Sequence, residues 1–343
     1  MKHLAALNKY FLKYKWRLLA GLLFVSISNF FAVKPAAIVR EVIDDVQSAM
    51  AKGALTASQQ DEIIRMVAWT GLLLLGLALL RGIFMFFMRQ TIIVMSRHIE
   101  YDQKNEIYAH YQQLHTHFFK SHATGDLMNR IAEDVSRVRM YTGPSIMYAT
   151  NLTVLTLICI WNMLHVNAML TLYVVLPLPI LAATIYFVNK LIFKKSEHIQ
   201  SQLGSLTASA QETYSGIRVI KSFVQEANMM RFFNKTSDNY RNSAINLSLT
   251  EAVYFPAMNF FIGLSMLSTV LIGGYLAIQG EVSAGNIAEF VIYINLLMFP
   301  ISSIGWVASM VQRASASQKR INEFLETSSE IVSESLPSGQ EIT

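Results

Sequence analysis

From Met140 to Asn189 the chain runs for fifty residues without a single Asp, Glu, Lys or Arg. As one straight helix this window would measure about 75 Å, against a bilayer hydrocarbon core of about 30 Å. It therefore has to turn back on itself. The polar group Asn162, His165 and Asn167 marks the turn and predicts a tight hairpin of two spans, near 140–162 and 168–189. Burying such a hairpin in water would require a soluble bundle with far more polar cover than this chain has. Only 15% of its residues are charged and 53% are hydrophobic, which excludes an ordinary soluble protein of 343 residues.

The same reading places further spans near 18–39, 66–88, 252–278 and 287–311, six in all. The first apolar run ends at Lys34 and Pro35 without a small-residue cleavage pattern, so it reads as a retained span rather than a signal peptide. Of the 28 Lys and Arg residues, 23 precede span one or lie in 89–139, 190–241 and 313–320. The hairpin turn and the 279–286 loop have none. The positive-inside bias puts both termini and the two long connections in the cytoplasm of a multi-pass inner-membrane protein. Membrane topology thereby accounts for the net charge of +5, and no nucleic-acid partner is needed. The lone Cys159, inside span three, excludes an intrachain disulfide and a cysteine metal cage. No internal repeat is evident.

Neither Gly nor Pro occurs between Gly82 and Gly125, so residues 63–117 are expected to continue span two as one helix of about 80 Å. Residues 190–208 extend span four in the same way, and 217–250 return into span five. Each long connection is then a helix pair meeting at a short tip, near 118–126 and near 208–216. The return leg TGDLMNRIAEDVSRVR (124–139) is amphipathic: Leu127, Ile131, Val135 and Val138 recur at helical spacing. Asp126/Arg130 and Glu133/Arg137 pair one turn apart, with Thr124 as the expected N-cap. Glu133 and Asp134, adjacent in sequence, read as surface salt-bridging charges. Tips held so far from lipid point to a cytoplasmic partner.

Four segments, in this order and spacing, resemble the transmembrane domain of an ABC exporter of the six-span, domain-swapped type. They are TGDLMNRIAEDV (124–135), ETYSGIRVIKSFVQE (212–226), GGYLAIQGEVSAGNIAEFVIYINLLMFPI (273–301) and QRASASQKRINEFLE (312–326). The resemblance covers residues 10–327. It implies an all-α membrane fold of six long transmembrane helices with cytoplasmic extensions, assembled as a domain-swapped dimer with a second copy or a paralogous half-transporter.

The resemblance further implies a transmembrane domain over 1–327 and, over 328–343, a Ser-rich acidic linker toward a nucleotide-binding domain. Either the chain is cut short there or its partner is a separate chain. Phe119, Lys120, Ser121, His122, Ala123, Thr124, Gly125 and Asp126 correspond to the first coupling helix. Ser209, Ala210, Gln211, Glu212, Thr213, Tyr214, Ser215 and Gly216 correspond to the second. Both are expected to dock on nucleotide-binding domains, where ATP and Mg would bind.

This chain itself carries no G-x-x-x-x-G-K-[ST] and no LSGGQ-like segment; in GIRVIKS the second glycine position is Ile220. It is therefore expected to hold no cofactor and to hydrolyse no ATP alone, whereas the intact family transporter is a translocating ATPase. The implied function is outward movement of amphipathic compounds, lipids or peptides by alternating access. An ATP-independent channel or carrier with a cytoplasmic gating collar is the alternative.

Arg81, mid-span, together with Phe255, Asn259, Tyr293 and Phe299, are the candidates to line a central cavity. Snorkelling of the arginine and lipid contact or packing of the aromatics are the plainer readings. Arg89 reads as an interface anchor. His98, His110, His115, His117 and His122 scatter over several helix faces, with no HExxH, and read as solvated surface rather than a metal site. Prolines 35, 177, 179, 256 and 300 read as bends, with Pro300 the candidate hinge.

Overall fold

The computed structural model describes residues 2–51 and 56–328, and all but the first residue of the 328–343 linker lies outside them. The described chain is helical, and six of its helical stretches are long and apolar enough to cross a membrane, as the uncharged window and its companions require. This is a multi-pass membrane protein. A short 3-10 stretch, Lys2–Leu7, leads into α1 (Asn8–Lys13) and α2 (Lys15–Ala51). Helix α3 (Ala57–Gln113) is 57 residues long, about 85 Å, and so overreaches the hydrocarbon core by tens of ångströms. Then come α4 (Thr116–Ser121), α5 (Thr124–Asn129), α6 (Val135–Met140) and α7 (Ile146–Val166), the last three joined by wide π turns at Arg130–Asp134 and Tyr141–Ser145. The second half holds α8 (Ala168–Val175), α9 (Pro177–Ser215), α10 (Ile217–Ser222), α11 (Glu226–Ala252), α12 (Tyr254–Ile278) and α13 (Ala284–Leu325).

The hairpin turn falls at Asn167, where the backbone is extended and the side chain accepts a 2.9 Å hydrogen bond from the Leu170 N–H. That is an N-cap, and it satisfies a donor that lipid cannot. The last short loop turns at Gly280, whose φ of +79° suits a residue without a Cβ. Ser283 and Asn286 then cap α13 reciprocally: the Asn286 N–H donates to Ser283 Oγ (3.0 Å) and the Ser283 N–H to Asn286 Oδ1 (2.8 Å).

Pro177 opens α9 after a break at Leu176, and Pro256 follows a break at Val253. Pro35 and Pro300 instead sit inside uninterrupted helices. Pro144, which the sequence reading passed over, lies in the wide turn Tyr141–Ser145, where a looser helix accommodates its ring and missing donor.

Two compact units result, Met1–Asn162 with Trp306–Thr343, and Met163–Gly305. In the first, α2 and α3 cross where Gly21 meets Ile92; a Cβ on Gly21 would collide with the Ile92 side chain. Gly143 meets Ser96 in the same way, at 2.5 Å from its Oγ. In the second unit Gly273 receives Ile287 and Gly305 receives Asn189. Such small-residue crossings let helix backbones approach where lipid offers no hydrophobic drive.

Candidate functional site

The first tip is buttressed from below. Helix α3 stops at Gln113 without a Gly or Pro, because Leu114 and Phe118 turn inward and are 8% and 5% exposed in a core that also takes Leu7, Ile107 and Phe324. Tyr111 packs tilted against Phe324 at 4.5 Å between centroids and donates a 2.7 Å hydrogen bond to the Leu127 carbonyl. Leu114 and His115 are extended, α4 occupies Thr116–Ser121, and His122 and Ala123 are extended again. Of the predicted tip residues, Phe119, Lys120 and Ser121 therefore lie on α4, while Thr124, Gly125 and Asp126 open α5. All eight are solvent-exposed except His122, half-buried against the Phe118 ring at 4.1 Å.

Two expectations about this return leg need correction. The N-cap is Ala123, with no side-chain cap, because Thr124 is already helical. Asp134 is no surface charge. It is 1% exposed and takes both Nε (2.9 Å) and Nη2 of Arg320, whereas Glu133 does pair with Arg137 on the surface. The Asp134 carboxylate in turn raises the Arg320 guanidinium above its ordinary range. Asp126/Arg130 pairs as expected, at 2.8 Å. A buried Gln103–Gln318 hydrogen bond of 3.0 Å adds a second tie between α3 and α13.

The N-terminal residues clamp the same region. Lys13 Nζ and Tyr14 OH donate to Asp102 Oδ2 at 2.7 and 2.9 Å, and Lys9 and Tyr10 both reach Glu106. Burial pushes the Glu106 carboxyl upward, but the bonds from Lys9 and Tyr10 outweigh it and leave it below the ordinary range. A carboxylate depressed on folding stabilises above its unfolded pKa of about 4.3 and ceases to as pH falls through the lower folded value. Hydrogen exchange over residues 2–14, corrected for intrinsic rate, is therefore expected to lose protection as pH drops below about 4. Glu106→Gln should abolish that pH step.

The second tip sits further along than the sequence suggests. Ser209, Ala210, Gln211, Glu212, Thr213, Tyr214 and Ser215 form the last turns of α9 rather than a separate helix. The Thr213 hydroxyl closes on the helix itself, donating to the Ser209 carbonyl at 2.8 Å, and the polar run stays helical. The break comes at Gly216, the short helix is α10, and the turn back passes through Val224 at φ 51°. The tip is thus 216–225, closed by a 3.0 Å Lys221–Glu226 ion pair. It carries apolar side chains in the open: Val219, Phe223 and Val224 are 61%, 71% and 79% exposed, with Tyr214 beside them at 76%. GIRVIKS is helix preceded by helix, so among the described residues it offers ATP no strand-to-helix phosphate loop.

The cavity candidates are divided between the two units. Arg81 is half-buried in the first unit and makes no hydrogen bond or ion pair among the described residues. Phe255, Asn259 and Phe299 are exposed in the second unit. Tyr293 is fully enclosed there and donates a 2.6 Å hydrogen bond to Glu289, so it is not presented to an opening within that unit. Glu289, 1% exposed, is the only carboxylate in the window 287–311, a signal the sequence reading missed. Of the histidines, His98 stacks on Tyr14 and His110 packs edge-on to Phe324, which makes them packing groups.

Residues 12–301 match the profile of the ABC transporter transmembrane region. An uncharacterized ABC transporter ATP-binding protein, YknU, of Bacillus subtilis (strain 168) is 27% identical over 335 residues, 96% of this chain and 54% of its own length. The multidrug resistance-like ATP-binding protein MdlA of Escherichia coli (strain K12) is 25% identical over 95% of this chain and 53% of its own. An ATP-dependent lipid A-core flippase of Syntrophus aciditrophicus (strain SB) is 25% identical over 92% and 49%. The chain spans about half the length of these curated relatives.

Proposed function

The chain belongs to the ABC transporter transmembrane family, and from that premise we propose that it is the permease half of an exporter driven by a nucleotide-binding domain outside this sequence. The observation that carries the reading is the pair of exposed tips. Each stands at the end of helices much longer than a bilayer requires, and the second carries apolar side chains that no lipid contact explains. Phe119 to Asp126 and the segment 216–225 are the proposed docking surfaces, with Ser209 to Ser215 as the stem of the second. ATP and Mg belong to the partner domain. Both termini and both tips face the cytoplasm in this reading, because the Lys and Arg residues concentrate there.

Helix α11 has no buried residue and exposes Ile245 and Leu249, which supports assembly with a second copy or a paralogous half. Closure of the ATP-bound domains moves the tips, and the rigid helices carry that motion to the spans as alternating access. The differential affinity that shifts the population is ATP's for the closed domains. The relatives include a multidrug resistance-like protein and a lipid A-core flippase, which supports an amphipathic cargo. Inside-out vesicles holding the chain and its nucleotide-binding domain are expected to accumulate an amphipathic fluorescent dye only with hydrolysable ATP. Uptake that is indifferent to ATP and to the partner domain would favour a channel or carrier.

A further inference from the structure

The first unit contains a cavity of about 560 Å³ that the cavity candidates above do not include. Its wall is formed by Phe86, Arg89 and Gln90 of α3, Met147 and Tyr148 of α7, and Trp306 of α13, completed by smaller apolar contacts. Tyr148 and Trp306 meet edge to face at 5.0 Å. The volume falls within the range of small-molecule sites, and the lining pairs adaptable methionine with flat aromatic surface.

Arg89 is the one charge in it. It is exposed and makes no hydrogen bond or ion pair among the described residues. The sequence supplies no acid to the walls either: there is none between Glu62 and Glu100, between Asp134 and Glu197, or between Glu289 and Glu323. Among the described residues no carboxylate competes with an incoming acidic group for Arg89. An interfacial anchor arginine needs no concave aromatic wall beside it, and this one has such a wall.

We propose that this cavity binds an anionic phospholipid drawn from the adjacent leaflet, its acidic head group on Arg89 and its first acyl carbons along Phe86, Met147 and Trp306. The cavity lies where α3 leaves its apolar window at residue 88 and α6 enters the next at 140, which places it at head-group depth. The exporter reading names that leaflet as the cytoplasmic one. Binding itself does not depend on the exporter reading.

The test uses the full chain in nanodiscs, which expose both leaflets, with Trp16, Trp69 and Trp161 changed to Phe so that Trp306 is the only tryptophan. Brominated phosphatidylglycerol or brominated phosphatidylcholine is titrated into a neutral, unbrominated background. Trp306 emission is expected to reach half-quenching at about fivefold lower mole fraction of the anionic lipid, the effect of one basic residue near anionic lipid. Arg89→Gln should superimpose the two curves while circular dichroism stays unchanged. Coincident curves in the parent protein, or a preference that survives Arg89→Gln, overturn the proposal. So does an absence of quenching by either lipid, the result expected if a second copy covers the cavity. ATP-driven uptake is no part of this readout, so its failure and failure of the exporter reading are separable.

Discussion

Arg320→Met is expected to destabilise the protein by about 3–5 kcal/mol, measured by denaturant unfolding in detergent micelles. The size follows from the asymmetry of the pair. The Asp134 side chain is 1% exposed, whereas Arg320 is 44% exposed. Removing the arginine strands a carboxylate where water cannot reach it; removing the carboxylate leaves a guanidinium that can turn back to solvent. Asp134→Ala should therefore cost less, about 1–2 kcal/mol. The double change Asp134→Leu with Arg320→Met removes both charges and should recover much of the single-site loss. A single Arg320→Met protein within 1 kcal/mol of the parent would show that the pair contributes little to holding α13.

The same pair links parts of the chain that are 186 positions apart. Phe324 lies four residues beyond Arg320 and is 1% exposed, with Tyr111 of α3 and Phe118 of α4, both just ahead of the first tip, against its ring. The first tip and the end of α13 are consequently one packed body. Helix α13 is also the last described helix, so in the proposed exporter a displacement of either the first tip or the end of α13 is carried to the other through this core. The second tip has no such support within its own unit, since α10 and α11 bury no residue at all.

The six long apolar helices were legible because one solvent, lipid, imposes one rule. Fifty residues without charge require a hairpin, and within the polar group Asn162, His165 and Asn167 it is Asn167 that turns the chain and satisfies a backbone donor. Local pairings such as Asp126 with Arg130 were legible for a similar reason, since helical geometry alone brings them together. What escaped depends on distant partners. Nothing near Leu114 announces a helix end; Phe324, some 200 positions later, provides the pocket that turns Leu114 and Phe118 inward. Asp134 resembles its neighbour Glu133 until Arg320 arrives. The position of the second tip has a different cause: Ser and Thr side chains that can break a helix can also donate to their own preceding carbonyls, as Thr207 and Thr213 do here, and the helix runs on to Ser215.

Changing Val219 and Phe223 together to serine is expected to leave thermal stability within about 0.5 kcal/mol of the parent while weakening binding of the nucleotide-binding domain about 30-fold or more. Both side chains are already mostly in solvent, 61% and 71% exposed, so the fold loses almost no buried surface with them. Their cost appears only if something covers them. Large apolar groups on a tight, polar-based turn have the character of interface anchors, and truncating two at the centre of a contact typically removes 2 kcal/mol or more. Binding would be read by interferometry on chain held in nanodiscs, with the nucleotide-binding domain supplied as a separate protein. Tyr101→Ser serves as the control, because that residue is 66% exposed on α3 and belongs to neither tip segment. Equal losses from the control and the tip variant would mean that exposed apolar surface in general, and not this turn, holds the partner. Unchanged binding in the tip variant would remove 216–225 from the docking surface and leave Phe119 to Asp126 as the proposed contact.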